Sequence, residues 1–128
     1  MATFAGWMSS HDLRVKRAIN VDPGETEDDR HRSRVTLCDV LTSITGNHRI
    51  GFAEVAAFLA ATPTRLVSVA SEDVLGVQDQ VNVPGTVAQH PNWRRRWPVL
   101  LEELAADQRM LEIAATFSRA GRSVKPPS

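Results

Sequence analysis

One six-residue run constrains the fold of this chain more than any other feature. Arg65-Leu66-Val67-Ser68-Val69-Ala70 is short, apolar and rich in β-branched residues, and Thr62-Pro63-Thr64 places a turn ahead of it. Such a run reads as a strand over about 65–70, buried on both faces as strands of parallel sheets are. It is the one convincing strand in 128 residues. A strand has to pair its backbone N–H and C=O groups with neighbours, and the rest of the sequence offers no second run to pair with. Everything around it has helical spacing. Phe4, Trp7, Met8, His11 and Val15 lie on one stripe, predicting a helix over about 3–19. Leu37, Val40, Leu41 and Ile44 predict a second over about 31–45, stopped by Gly46-Asn47. Phe52, Val55, Ala56 and Leu59 predict a third over about 51–61, with Pro63 beyond its end. Pro98 suits a first helical position, and Met110, Ile113, Ala114 and Phe117 carry a closing helix over about 98–120 that Gly121 terminates. Asp22-Pro23-Gly24 opens a solvated, flexible connection, and residues 71–92 lack a period, as a functional loop does. The expected class is α/β: one unit over 1–121, mostly helical around one buried parallel-type strand, then a frayed tail over 122–128. A parallel sheet needs several such units, so the pattern is that of a portion of a larger α/β protein.

Composition narrows the function by exclusion. Lys+Arg and Asp+Glu number 15 each, so no net charge recruits nucleic acid or an anionic membrane. Leu, Ile, Val and Phe make up a quarter of the chain, enough for a core. No apolar run reaches the length of a membrane span, and no secretory leader is evident. A single cysteine, Cys38, forms no intramolecular disulfide and fits a reducing compartment, so the expected location is the cytoplasm. His11, His31, His48 and His90 lack the spacing of a helical metal site, and no glycine-rich phosphate loop is present, so no metal or cofactor is expected.

The informative residues come late. Glu72-Asp73-Val74-Leu75-Gly76 is followed by Asn82-Val83-Pro84-Gly85-Thr86 and then by His90-Pro91-Asn92-Trp93-Arg94-Arg95-Arg96. The three boxes together resemble the C-terminal end of bacterial 4-α-glucanotransferases (amylomaltases, disproportionating enzymes). Upstream, Ala2-Thr3-Phe4-Ala5-Gly6-Trp7 resembles the segment that in this family follows a His-Asp pair. The resemblance implies a (β/α)₈ TIM barrel, of which this chain would be a C-terminal fragment, since a whole barrel takes roughly 250 residues. It also implies transfer of α-1,4-glucan segments between maltooligosaccharides with retention, which needs two carboxyl groups roughly 5–5.5 Å apart. In the family the catalytic carboxylates lie at earlier strand ends, so no catalytic residue is assigned here and the chain alone is expected to be inactive. His11-Asp12 is not the family pair, because it follows Gly6-Trp7 and falls in a helical pattern. Glu72 and Asp73, adjacent in extended backbone, would point to opposite faces and could not flank one glycosidic bond.

Within that resemblance residues 71–92 form the loop at the barrel's active face. Asn82 offers an amide to sugar hydroxyls, or else bonds its own turn, while Pro84 and Gly85 fix and thin the backbone beside a ligand. Arg94, Arg95 and Arg96 look like clamps pairing with barrel carboxylates, with Trp93 as an apolar anchor. The implied partners are an α-1,4-glucan or maltooligosaccharide and the N-terminal portion of the barrel. The sequence departs from the family in Val87-Ala88-Gln89, where acidic residues are common, and in Trp97, where Leu is more usual. A second reading keeps the chain as a non-enzymatic module that binds α-glucan or docks on a protein through residues 71–97. Stability separates the two readings: the module predicts a folded monomer, whereas a fragment with a bare strand edge predicts aggregation, dimerisation, or rescue by the missing part.

Overall fold

Serines and a threonine decide how the chain begins. In the computed structural model, which describes residues 2–122, the Thr3 hydroxyl accepts from the Gly6 N–H at 3.1 Å and caps α1 (Phe4–Met8). The Ser9 hydroxyl donates back to the Ala5 carbonyl at 2.8 Å, and Ser10 takes a left-handed φ of 56°. Side-chain bonds of this kind compete with the helix ladder. The helix expected over 3–19 is therefore two helices, α1 and α2 (His11–Ala18), meeting at a corner.

The segment read as a flexible connection is ordered by a capping box. Thr26 accepts from the Asp29 N–H, Asp29 accepts from the Thr26 N–H, both at 3.1 Å, and α3 (Glu27–Thr45) starts four residues before its expected edge. Gly46 ends it in the left-handed conformation, at φ 74°. α4 (Phe52–Ala61) starts where Glu54 accepts the Gly51 N–H at 2.8 Å. The closing helix expected over 98–120 is interrupted: α6 (Leu101–Leu104) ends at Ala105, and Asp107 caps α7 (Gln108–Arg119) by accepting the Arg109 N–H at 2.9 Å. Pro98 thus lies ahead of α6 rather than opening it. Of the tail expected over 122–128, residues 123–128 lie outside the described residues. Arg122 is fixed, its guanidinium donating to the Ala60 carbonyl at 2.7 Å and to the Thr62 carbonyl.

α4 lies against both α3 and α7, and α5 (Ser71–Val74) touches α7. Leu13, Leu41, Ala56, Ala60, Val74, Leu75 and Val83 are the buried apolar side chains. A buried charge joins them. Arg30, 1% exposed, donates to Asp12 at 2.8 and 2.9 Å, to Glu25 at 2.5 and 3.2 Å and to the Trp7 carbonyl at 2.9 Å, with its guanidinium 5.1 Å from the Trp7 ring centroid. This network holds α2, the 20–26 segment and α3 together.

The run 65–70 is extended, but no strand forms among the described residues. None of the backbone N–H or C=O groups from Arg65 to Val69 has a hydrogen bond among the described residues. Leu66 is 85% exposed rather than buried, because a strand with no ladder partner has no second layer to hide it. Beside this run α1, α3 and α4 leave an open apolar cleft of about 910 Å³, lined by Phe4, Trp7, Leu37, Val40, Phe52 and Val69 among others. The Phe4 and Phe52 rings meet across it at 5.7 Å. No described helix is long and apolar enough to cross a membrane.

Candidate functional site

Residues 71–97 are built onto the first two helices. The Thr3 hydroxyl donates to the Gln78 carbonyl at 3.1 Å, and the Phe4 N–H donates to Asp73 at 2.6 Å. Gly6 makes the approach feasible, since a Cβ there would stand 2.3 Å from the Gln78 carbonyl oxygen. From α2, His11 Nε2 bonds Asp79 Oδ1 at 2.7 Å, and the other Asp79 oxygen accepts from Arg95 at 2.7 Å. A carboxylate only accepts, so His11 carries its proton on Nε2 in this pair. From α7, Arg109 donates to the Leu75 carbonyl at 2.9 Å.

The segment opens with one helical turn, α5, not with extended chain, and this changes the account of its acids. Glu72 accepts the Trp97 indole N–H at 3.0 Å, while Asp73 accepts the Phe4 N–H. Each carboxylate thus has a structural partner of its own, on different elements. Burial pushes the Asp73 carboxyl above its usual range, against the Phe4 N–H, and the neighbouring Glu72 adds to the rise.

Asn92 latches the two family boxes to each other. Its Oδ1 accepts the Val83 N–H at 2.9 Å, and its Nδ2 donates to the Thr86 carbonyl at 3.0 Å and hydroxyl at 2.9 Å. The buried His90 supports the latch from below, donating from Nε2 to the Gln80 carbonyl at 3.1 Å. A carbonyl cannot donate, which fixes the tautomer. The turn-bonding amide is therefore Asn92, whereas the Asn82 side chain makes no hydrogen bond among the described residues. Asn82, Pro84 and Gly85 line a hollow of about 380 Å³ together with Thr86, Asn92 and Trp93, and Gly85 has a left-handed φ of 83°.

The arginine triplet divides by role. Arg95 is clamped by Asp79, while Arg94 and Arg96 are exposed and form no ion pair among the described residues. Trp93, expected as an apolar anchor, is 74% exposed, because its backbone sits at φ 58° with its N–H on the Val81 carbonyl at 2.9 Å. Asp79, Gln80, His90 and Asn92 are the residues that sequence reasoning missed or left without a role; the signal for Asn92 was its place between the His-Pro and Arg boxes. No grouping of three or more His, Cys, Asp or Glu able to hold a metal ion occurs among the described residues.

A family profile described as 4-α-glucanotransferase matches residues 1–102. The chain belongs to the 4-α-glucanotransferase family. Among curated relatives it is similar to the 4-α-glucanotransferases of Mycobacterium bovis and Mycobacterium tuberculosis, each 39% identical over 72 residues. That match covers 52% of this chain and 9% of each relative, so this glucanotransferase-family chain spans a small part of the proteins it resembles. No solved structure matches it.

Proposed function

We propose that this chain is the C-terminal part of a (β/α)₈ glucanotransferase barrel, in which residues 65–70 supply a parallel strand and residues 71–97 the loop that contacts α-1,4-glucan. Its own residues hold and orient the glucan; they do not cleave it. The observation that carries this reading is the family match over residues 1–102, which includes all three boxes of the latched loop. Three physical features support it. The backbone of Arg65 to Val69 is bare, as a barrel strand lifted from its neighbours would be. The open apolar cleft beside it leaves Val40 exposed and Leu37 only half-buried, a cost that covering strands would remove. Glu72 and Asp73 are each engaged in structural bonds, so neither is poised as nucleophile or general acid.

In the complete barrel the reaction would retain configuration through a glycosyl-enzyme intermediate, with both carboxyl groups on chain outside this segment. The N-terminal portion of the barrel is then the protein partner, and a reducing cytoplasm suits the free Cys38. Incubating the purified chain with maltotriose tests the assignment. Neither glucose nor maltopentaose should form, while a nuclear magnetic resonance titration with maltotriose should shift the Asn82 side-chain amide. Disproportionation by the chain alone, or an unperturbed Asn82, would overturn it.

A further inference from the structure

Trp93 is a wall shared by two concavities. On one side lies the hollow of about 380 Å³ with Asn82 and Gly85; on the other lies one of about 100 Å³ lined by Glu72, Asp79, Arg95, Arg96 and Trp97. The indole between them is 74% exposed on a backbone held at φ 58°, a conformation that bulky residues avoid. The Val81 carbonyl and the adjacent Asn92 latch keep it there. Among the described residues no packing partner accounts for a large side chain carried on a strained backbone; presentation to a ligand does.

The surroundings select the ligand. An indole face attracts the slightly positive C–H groups that line one side of a pyranose ring, and the rim of a pyranose needs donors and acceptors. The rim groups are present on both sides: the Asn82 amide and the Arg96 guanidinium, neither engaged among the described residues, and Glu72 held by the Trp97 indole N–H at 3.0 Å. We infer that Trp93 is a stacking platform for a glucosyl ring, and that an α-glucan crosses it from the Asn82 hollow to the Trp97 side, so that the loop binds at least two successive sugar units. The identity of the sugar rests on the proposed function; the platform itself rests on the loop's geometry.

The test is calorimetry of the full 128-residue chain with glucose, maltose, maltotriose and, as a control, cellotriose. Affinity should rise from glucose to maltotriose, and cellotriose should bind more weakly. Trp93→Phe should retain most of the affinity. Trp93→Gly removes the indole while favouring the left-handed backbone, so the loop keeps its shape. It should lose roughly tenfold in maltotriose affinity, equivalent to about 1.4 kcal/mol. If Trp93→Gly binds maltotriose like the parent while Asn82→Ala binds it less well, the platform is refuted and the glucan-binding loop stands. If the parent binds none of the sugars, both readings fall.

Discussion

Replacing Arg30 by Met should be the most damaging single substitution in this chain. The side chain is 1% exposed and makes four close contacts with carboxylate oxygens and one with the Trp7 carbonyl. Methionine keeps much of the apolar stem but leaves Asp12, 2% exposed, as a buried charge without its bidentate partner. Glu25 suffers less, because its side chain is 31% exposed and can turn to water. Removing one partner of a buried pair costs on the order of 3–5 kcal/mol. At a slope of about 2 kcal/mol per molar urea, the unfolding midpoint should fall by roughly 2 M. Replacing both partners, Arg30→Met with Asp12→Leu, should recover most of the loss, since a well-packed apolar pair of similar volume is often neutral. The pH dependence carries a second signature. Burial pushes the Asp12 carboxyl up, but the hydrogen bonds and charge of Arg30, with Lys16, outweigh it and hold the group below its usual range. A carboxyl depressed in the folded state stabilises above its unfolded value near 3.9 and loses that contribution as pH falls through the folded value. In Arg30→Met the two largest lowering causes are lost and only Lys16 and a backbone hydrogen bond oppose the burial, so the depression shrinks and the gap between parent and variant should narrow below about pH 4. Urea titrations followed by circular dichroism between pH 3 and 7 measure both effects. A midpoint shift equivalent to under about 0.5 kcal/mol, or a gap that does not narrow in acid, would refute the argument.

Gly6→Ala should cost about 1–3 kcal/mol and loosen residues 73–80 in hydrogen exchange, because its methyl meets the Gln78 carbonyl oxygen at 2.3 Å; an unchanged melting temperature would contradict this. Asn92→Ala strips partners from the Val83 N–H and Thr86, which should lower stability by about 1–3 kcal/mol and weaken maltotriose binding in the same calorimetric assay. Asp73→Asn keeps an oxygen for the Phe4 N–H but removes a carboxyl whose folded value is raised. The parent should lose stability as pH rises from the unfolded Asp value through the folded one, and the variant should lack that slope in urea midpoints measured across the window. Val67→Pro removes an N–H that has no partner here, so the isolated chain should melt within about 0.5 kcal/mol of the parent, whereas assembly with an N-terminal barrel portion should fail in co-purification.

The family was legible from the sequence because its three boxes lie close together and are unusual in combination. The mutual fixing of those boxes was not. Asn92 and Asn82 are equally polar and equally turn-prone, and choosing the latch needs the distances to Val83 and Thr86 that only folding supplies. His11 and Asp79 lie 68 positions apart, so no spacing rule links them. Arg30 follows a polar stretch that reads as solvated, and its bidentate partner Asp12 lies 18 positions away in α2, beyond any spacing rule. Helix boundaries went astray where small hydroxyls redirect the backbone, at Ser9-Ser10 and at Thr26, since hydrophobic period records which face is apolar and not where a side chain competes with the ladder. The run 65–70 shows the opposite limit: a strand's apolar character is local, but its burial belongs to whichever chains flank it.

The docking of Thr3, Phe4, Gly6 and His11 onto residues 73–79 ties the loop over 71–97 to α1 and α2, far from it in sequence. The two therefore travel as a cassette. A gene break, recombination junction or protease cut anywhere between α2 and the run at 65–70 would sever residues 71–97 from the braces that hold them. Grafting the loop into another scaffold would have to carry the first two helices with it.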